Sequence, residues 1–153
     1  MKLYIINGPN LNMLGIREPD KYGKESYDFL VKKVDSYCKS LNVEPIFYQS
    51  NHEGDLVDKI QEAYFEGADG IIINPGAYTH TSIALLDALK AVNLPCVEVH
   101  ISNLSDREDF RQISYVRLAA QKTITGHGLD GYTEACAFLF DVIANEKKET
   151  SEK

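Results

Sequence analysis

Five short apolar runs separated by helix-period segments predict a doubly wound α/β domain, its parallel sheet covered by helices on both faces. The runs are short and uninterrupted, the mark of strands mostly buried on both sides. Each is followed by apolar residues recurring every three or four positions. At 153 residues, the chain has the length of one domain and can remove roughly 70% of its unfolded surface from water.

Leu3-Tyr4-Ile5-Ile6 reads as the first strand and ends in Asn7-Gly8-Pro9-Asn10. The connection that follows runs to about Lys24. It is long for an α/β loop, so it is either functional or disordered. Tyr27, Leu30, Val31, Val34, Cys38 and Leu41 then recur at helical spacing, and Asn42 fits the stop. Pro45-Ile46-Phe47-Tyr48 forms the second strand. Leu56, Ile60, Ala63 and Tyr64 mark the second helix, closed by Gly67. Gly70-Ile71-Ile72-Ile73 is the third strand and ends in Asn74-Pro75-Gly76-Ala77-Tyr78-Thr79-His80, with Leu85, Leu86 and Leu89 in the helix beyond. Pro95 opens the fourth strand, Cys96-Val97-Glu98-Val99, which ends in His100-Ile101-Ser102-Asn103. A fifth strand near Thr123-Ile124-Thr125 leads into a last helix with Tyr132, Ala135, Cys136, Leu139, Phe140 and Ile143 inward. Five such units imply a flavodoxin-like fold with a five-stranded parallel sheet. The expected organisation is one domain over residues 1–146 and a charged, frayed tail over 147–153.

Sixteen basic residues against 23 acidic ones leave a net charge of -7. A surface of that sign repels polyanions, so no nucleic-acid partner is expected. No stretch approaches the roughly 18 apolar residues of a membrane span, and the N-terminal apolar run is too short for a signal peptide. The chain reads as cytoplasmic and free of membranes. Only four of the basic residues are arginines, Arg17, Arg107, Arg111 and Arg117. Planar forks this scarce are candidates for binding. Cys38, Cys96 and Cys136 lie far apart in apolar stretches and read as buried thiols.

Ligands of open α/β sheets bind beyond the carboxyl ends of the strands, and the unusual polar residues collect there. Arg17 and Tyr22 share the long first loop. Beside a cation a phenol can serve as a base, and Gly15 and Gly23 can hinge the loop as a lid. The alternative is an exposed loop in which Arg17, Glu18 and Asp20 form solvated pairs. Period-two geometry puts Glu98 and His100 on one face of the fourth strand. A carboxylate beside an imidazole fixes its tautomer and suits it to act as an acid; a His capping a strand end is the alternative. His80 either serves a ligand or bonds a neighbouring hydroxyl at a helix start. Asn10, Asn74 and Ser102 end different strands on one rim, which suits a substrate rich in hydroxyls and carboxylate, although each could close a turn. Arg111 either clamps a carboxylate or lies on the surface. Gly126-His127-Gly128-Leu129-Asp130-Gly131 matches a dinucleotide fingerprint, but no further strand and acid follow, so it reads as a tight turn. The four His show no metal spacing.

The motifs together resemble type II 3-dehydroquinate dehydratase. They are Ile6 to Asn12, Arg17-Glu18-Pro19 with Tyr22-Gly23, Asn74 to Ser82, Glu98-Val99-His100 with Ser102-Asn103, and Arg107 to Arg111 with Ser114-Tyr115. Gly126 to Tyr132 completes the match, which spans about residues 2–145 in the family's order. The resemblance implies a single catalytic domain that dehydrates 3-dehydroquinate to 3-dehydroshikimate through an enolate, without a cofactor and without a metal. It implies Tyr22 as base, Arg17 as its stabiliser, His100 as acid, Glu98 as the group orienting His100, and Asn10 as the holder of a water at the enolate oxygen. Asn74, Ile101 and Ser102 would take the substrate carboxylate, and His80 and Arg111 its hydroxyls. Asp87 would reach a neighbouring subunit's site in a dodecamer built from trimers. The chain departs from the family pattern at Leu86, Gln112, residues 116–118 and Lys122, none of them assigned to chemistry. A non-enzymatic signalling or flavin-binding module is the second reading. It lacks the acidic pair or the Ser/Thr-rich phosphate loop expected after the first strand.

Overall fold

Strands that carry apolar side chains on both faces stack into one parallel sheet. In the computed structural model, which describes residues 1–152, they are β1 (Lys2–Asn7), β2 (Glu44–Gln49), β3 (Gly70–Asn74), β4 (Cys96–His100) and β5 (Lys122–Thr125). Their order is β2-β1-β3-β4-β5, the flavodoxin-like arrangement. The chain winds from β1 one way to β2, then the other way through β3, β4 and β5. The ligand crevice of such a sheet opens where that winding reverses, at the carboxyl ends of β1 and β3. Register pairs Asn7 with Asn74 there, so both strands stop at one level.

Five helices complete the domain: α1 (Pro19–Tyr22), α2 (Tyr27–Ser40), α3 (Glu53–Phe65), α4 (Ile83–Val92) and α5 (Asp130–Ser151). Leu30, Val34 and Cys38 of α2 pack with Tyr132 and Leu139 of α5 against Leu3, Ile5, Ile72 and Val97. On the other face, Leu56 and Ile60 of α3 and Leu85 and Leu89 of α4 cover Ile6, Ile71 and Ile73. The period-two alternation of β3 thus feeds both cores, each fully buried side chain contributing roughly 1.5–3 kcal/mol. Ser26 and Ser82 cap α2 and α4 by accepting from the N–H groups of Phe29 and Leu85. Asn42 and Gly67 take the left-handed conformation just beyond their helices, as their stop signals require.

Two features differ from expectation, and one open alternative narrows. Strand β2 is only partly buried along its length because it is an edge strand, and α2 and α3 leave its outer margin open. The segment 147–151 is not a frayed tail but the last turn of α5. There Lys147 pairs with Asp69 at 2.8 Å, and the hydroxyls of Thr150 and Ser151 donate to the carbonyls of Glu146 and Lys147. Lys153 of the expected tail lies outside the described residues. The long first connection is also ordered, folding into a 3-10 turn at Leu11–Met13 and then α1. The three cysteines are buried as expected, and Cys38 and Cys136 meet between α2 and α5 with sulfurs 2.9 Å apart.

One glycine is dictated by the site. A Cβ on Gly8 would sit 2.5 Å from the Pro75 carbonyl oxygen. Only glycine lets the exit loop of β1 lie against that of β3, bringing the two rims together.

Candidate active site

A narrow cavity of about 50 Å³ opens at the carboxyl ends of β1, β3 and β4. Asn10, Arg17, Tyr22, Asn74, His80, His100, Ile101, Ser102 and Arg111, predicted from five separate segments, all line it. Glu98 lies fully buried beneath. Asp87 is exposed on α4, outside the cavity. Tyr22, Ile101, Ser102 and Arg107 also form the wall of a wider cleft of about 650 Å³ that reaches the 126–130 turn. In that turn Gly126 and Gly128 have positive φ, as a tight turn demands.

The strand geometry of β4 sets an imidazole against a carboxylate. His100 Nε2 donates to Glu98 Oε1 at 2.6 Å, the same-face contact expected for residues two apart in a strand. This leaves Nδ1 as the ring nitrogen that can serve the cavity. A buried carboxylate must be satisfied or it destabilises the fold. Thr79 and Ser114 donate hydroxyls to Oε1 at 2.5 and 2.8 Å, and Thr123 donates to Oε2 at 3.2 Å. Burial alone would raise the pKa of Glu98. The bond and charge of His100, with the Thr79 and Ser114 hydroxyls, more than offset it and hold the pKa at about 2, below the ordinary 4.5.

That depression has a measurable sign. A carboxyl whose pKa falls on folding stabilises the native state fully above its unfolded value, and the contribution disappears as pH drops through the folded one. Melting temperature is therefore expected to fall between about pH 4.5 and about pH 2, and Glu98→Gln should flatten that fall. Superimposable stability profiles for the two proteins would show that Glu98 carries none of it.

The surroundings of Tyr22 differ from their sequence reading. Arg17 stacks over the Tyr22 ring at 4.6 Å and pairs with Glu18 at 3.6 Å, so a cation beside the phenol ring and a surface ion pair coexist in that loop. The guanidinium on the phenol oxygen belongs to Arg107. Its Nη1 donates to Tyr22 Oη at 3.0 Å and to Ser102 Oγ at 3.2 Å, and its side chain is only 8% exposed. A fixed cation bonded to a phenol oxygen stabilises the charge left there when the proton departs. Arg107 lies 85 positions from Tyr22, and no local spacing links them. Its signals in the sequence are the scarcity of arginine and its place in the Arg107 to Arg111 motif.

The remaining residues supply hydrogen bonds. His80 Nδ1 donates to the Ile113 carbonyl at 2.6 Å. Burial lowers its pKa, which favours a neutral ring with Nε2 as acceptor. Arg111 is held by Glu108 at 2.7 Å on the rim. Asn74 accepts the Gly76 N–H and donates to Tyr132. Tyr132, Thr79, Ser114 and Thr123 were not foreseen as site residues. The Thr79, Ser114 and Thr123 hydroxyls are inferable only as the partners any buried Glu98 requires.

An open parallel sheet with a phenol, an imidazole–carboxylate pair and three guanidiniums around one cavity defines an acid–base enzyme for an anionic substrate. Comparison with known proteins makes the class specific. The model of the family "Dehydroquinase class II" matches residues 1–140. A 3-dehydroquinate dehydratase of Caldicellulosiruptor bescii is 51% identical over 142 residues, covering 93% of this chain and 98% of that protein. The enzyme of the same name from Fusobacterium nucleatum is 54% identical, covering 92% of this chain and 97% of its own. The crystal structure of a type II dehydroquinase from Butyrivibrio crossotus superposes with a TM-score of 0.90 at 56% identity, over 91% of this chain and 97% of that one. The chain belongs to the class II dehydroquinases. That membership sets aside the signalling or flavin-binding reading.

Proposed function

We propose that this chain dehydrates 3-dehydroquinate to 3-dehydroshikimate through an enolate, with Tyr22 as the base and His100 as the acid. As a class II dehydroquinase it is a hydro-lyase of the shikimate pathway acting on a small anionic substrate. The phenolate of Tyr22 takes the proton beside the ketone, and the electron pair moves onto the ketone oxygen. A water held by Asn10 would stabilise that enolate. As the pair returns, the carbon–oxygen bond to the leaving hydroxyl breaks, and His100 supplies the proton that makes it water. Proton exchange with solvent resets both residues. Asn74 with the Ile101 and Ser102 backbone would hold the carboxylate, and His80 and Arg111 the ring hydroxyls. Arg17 and Arg107 would share the stabilisation of Tyr22, Arg17 at the ring and Arg107 at the oxygen.

The observation that carries this reading is the pairing on one cavity of a guanidinium-bound phenol with a carboxylate-bound imidazole. The cavity shares Tyr22 and Arg107 with the wider cleft beside it. Arg17 and Tyr22 sit on the 8–24 connection, so that connection would act as the lid over a bound ring acid. Asp87 would serve a neighbouring subunit, in a cytoplasmic dodecamer of trimers.

Incubation with 3-dehydroquinate should produce a conjugated enone, followed as rising ultraviolet absorbance. A folded preparation that gives no signal beside a working control enzyme would refute the activity. Single-chain protein in sedimentation analysis with undiminished turnover would remove the neighbouring-subunit role of Asp87.

A further inference from the structure

Behind the cavity lies a set of buried polar groups of which the proposed function uses only Asn74. Asn7, Asn74 and Tyr132 are at most 3% exposed. Tyr132 Oη lies 2.6 Å from Asn7 Oδ1 and 2.9 Å from Asn74 Nδ2. Asn74 Oδ1 accepts the backbone N–H of Gly76 at 3.1 Å, and Asn7 Nδ2 donates to Tyr27 Oη at 3.4 Å.

The direction of every bond in this set follows from one atom. The Gly76 N–H can only donate, so Asn74 must turn Oδ1 toward it and therefore Nδ2 toward Tyr132. The phenol oxygen then accepts from Asn74 and gives its own proton to Asn7 Oδ1. Asn7 is left with Nδ2 facing Tyr27. Burial pushes the ionisation of Tyr132 well above the ordinary phenol range, so that proton stays in place. Asn74 Nδ2 has a second N–H beyond the one given to Tyr132, and Asn74 lines the cavity.

We propose that Tyr132 is a positioning residue whose hydroxyl, together with the Gly76 N–H, fixes the Asn74 amide so that it offers an N–H to the substrate carboxylate. This rests on the reading of Asn74 as a carboxylate-binding residue. With the hydroxyl gone, Asn74 Nδ2 loses its buried acceptor and the amide is held by the Gly76 N–H alone, so its second N–H is no longer fixed on the anion. The carboxylate takes no part in bond making or breaking, so its contacts are equal in ground and transition states. Their loss raises KM and leaves kcat nearly intact.

The test is steady-state kinetics of the full chain with 3-dehydroquinate. Tyr132→Phe, which keeps the ring's packing, should raise KM about tenfold with kcat within about twofold. Asn74→Ala should raise KM at least as much, and adding Tyr132→Phe to Asn74→Ala should change KM no further. Wild-type KM in Tyr132→Phe beside an impaired Asn74→Ala overturns the role of Tyr132 and leaves that of Asn74 standing. Additive effects in the double variant, or a fall in kcat at constant KM, overturn it as well. Wild-type KM in Asn74→Ala removes the carboxylate reading and the proposal with it. If Tyr132→Phe does not fold, Asn7→Ala carries the test. It takes away the acceptor that fixes the phenol proton, so the hydroxyl that receives the Asn74 N–H is no longer held and KM should rise likewise; an unchanged KM overturns the proposal.

Discussion

Tyr22→Phe lowers kcat for 3-dehydroquinate by about 10³-fold to 10⁴-fold, the upper part of what a positioned base supplies. The substitution removes one oxygen, and that oxygen makes a single hydrogen bond, from Arg107. Arg107 keeps Ser102 as a partner, so the wall of the cavity survives. Tyr22 is only half-buried at the end of α1, and surface substitutions of this kind change stability by less than about 0.5 kcal/mol. Melting temperature therefore stays near that of the wild type while turnover collapses. Turnover within about tenfold of the wild type would mean that another group takes the proton.

His100→Ala produces the second large effect, a loss of about 10²-fold to 10⁴-fold in kcat with little change in KM. The proton for the leaving hydroxyl then has to come from solvent. Folding should survive the change, because the Glu98 carboxylate keeps the hydroxyls of Thr79, Ser114 and Thr123. Circular dichroism separates lost chemistry from lost structure. A folded His100→Ala protein with nearly full kcat would remove the imidazole from the reaction.

Much of this was legible in the sequence because it depends on local spacing. The strands were visible as uninterrupted apolar runs, and β3 is buried on both faces as Gly70-Ile71-Ile72-Ile73 suggested. The Glu98–His100 contact was legible because two residues of one strand share a face whatever the rest of the fold does. The rim formed by Asn10, Asn74 and Ser102 followed from topology alone. The burial of β2 was misjudged because composition does not reveal which strand is at the edge. The last turn of α5 was missed because its charged residues gave no apolar period, whereas Lys147 is tied to Asp69 in another element. Arg107 on Tyr22, and Tyr132 between Asn7 and Asn74, are contacts across 58 to 125 positions. Nothing local encodes such pairs; they exist only once the sheet has set its register.

The open margins of the sheet limit how copies of this chain can meet. A strand with free N–H and carbonyl groups invites another strand to pair with it. Here one margin is β2, with Pro45 opposite Leu3 and lacking an N–H to donate, and the other is β5, only four residues long. Both ends are poor templates for sheet continuation. Growth by strand addition, the route to fibres, is discouraged at each side. Whatever assembly the chain enters is left to its helices and loops, which can close into finite, symmetric particles.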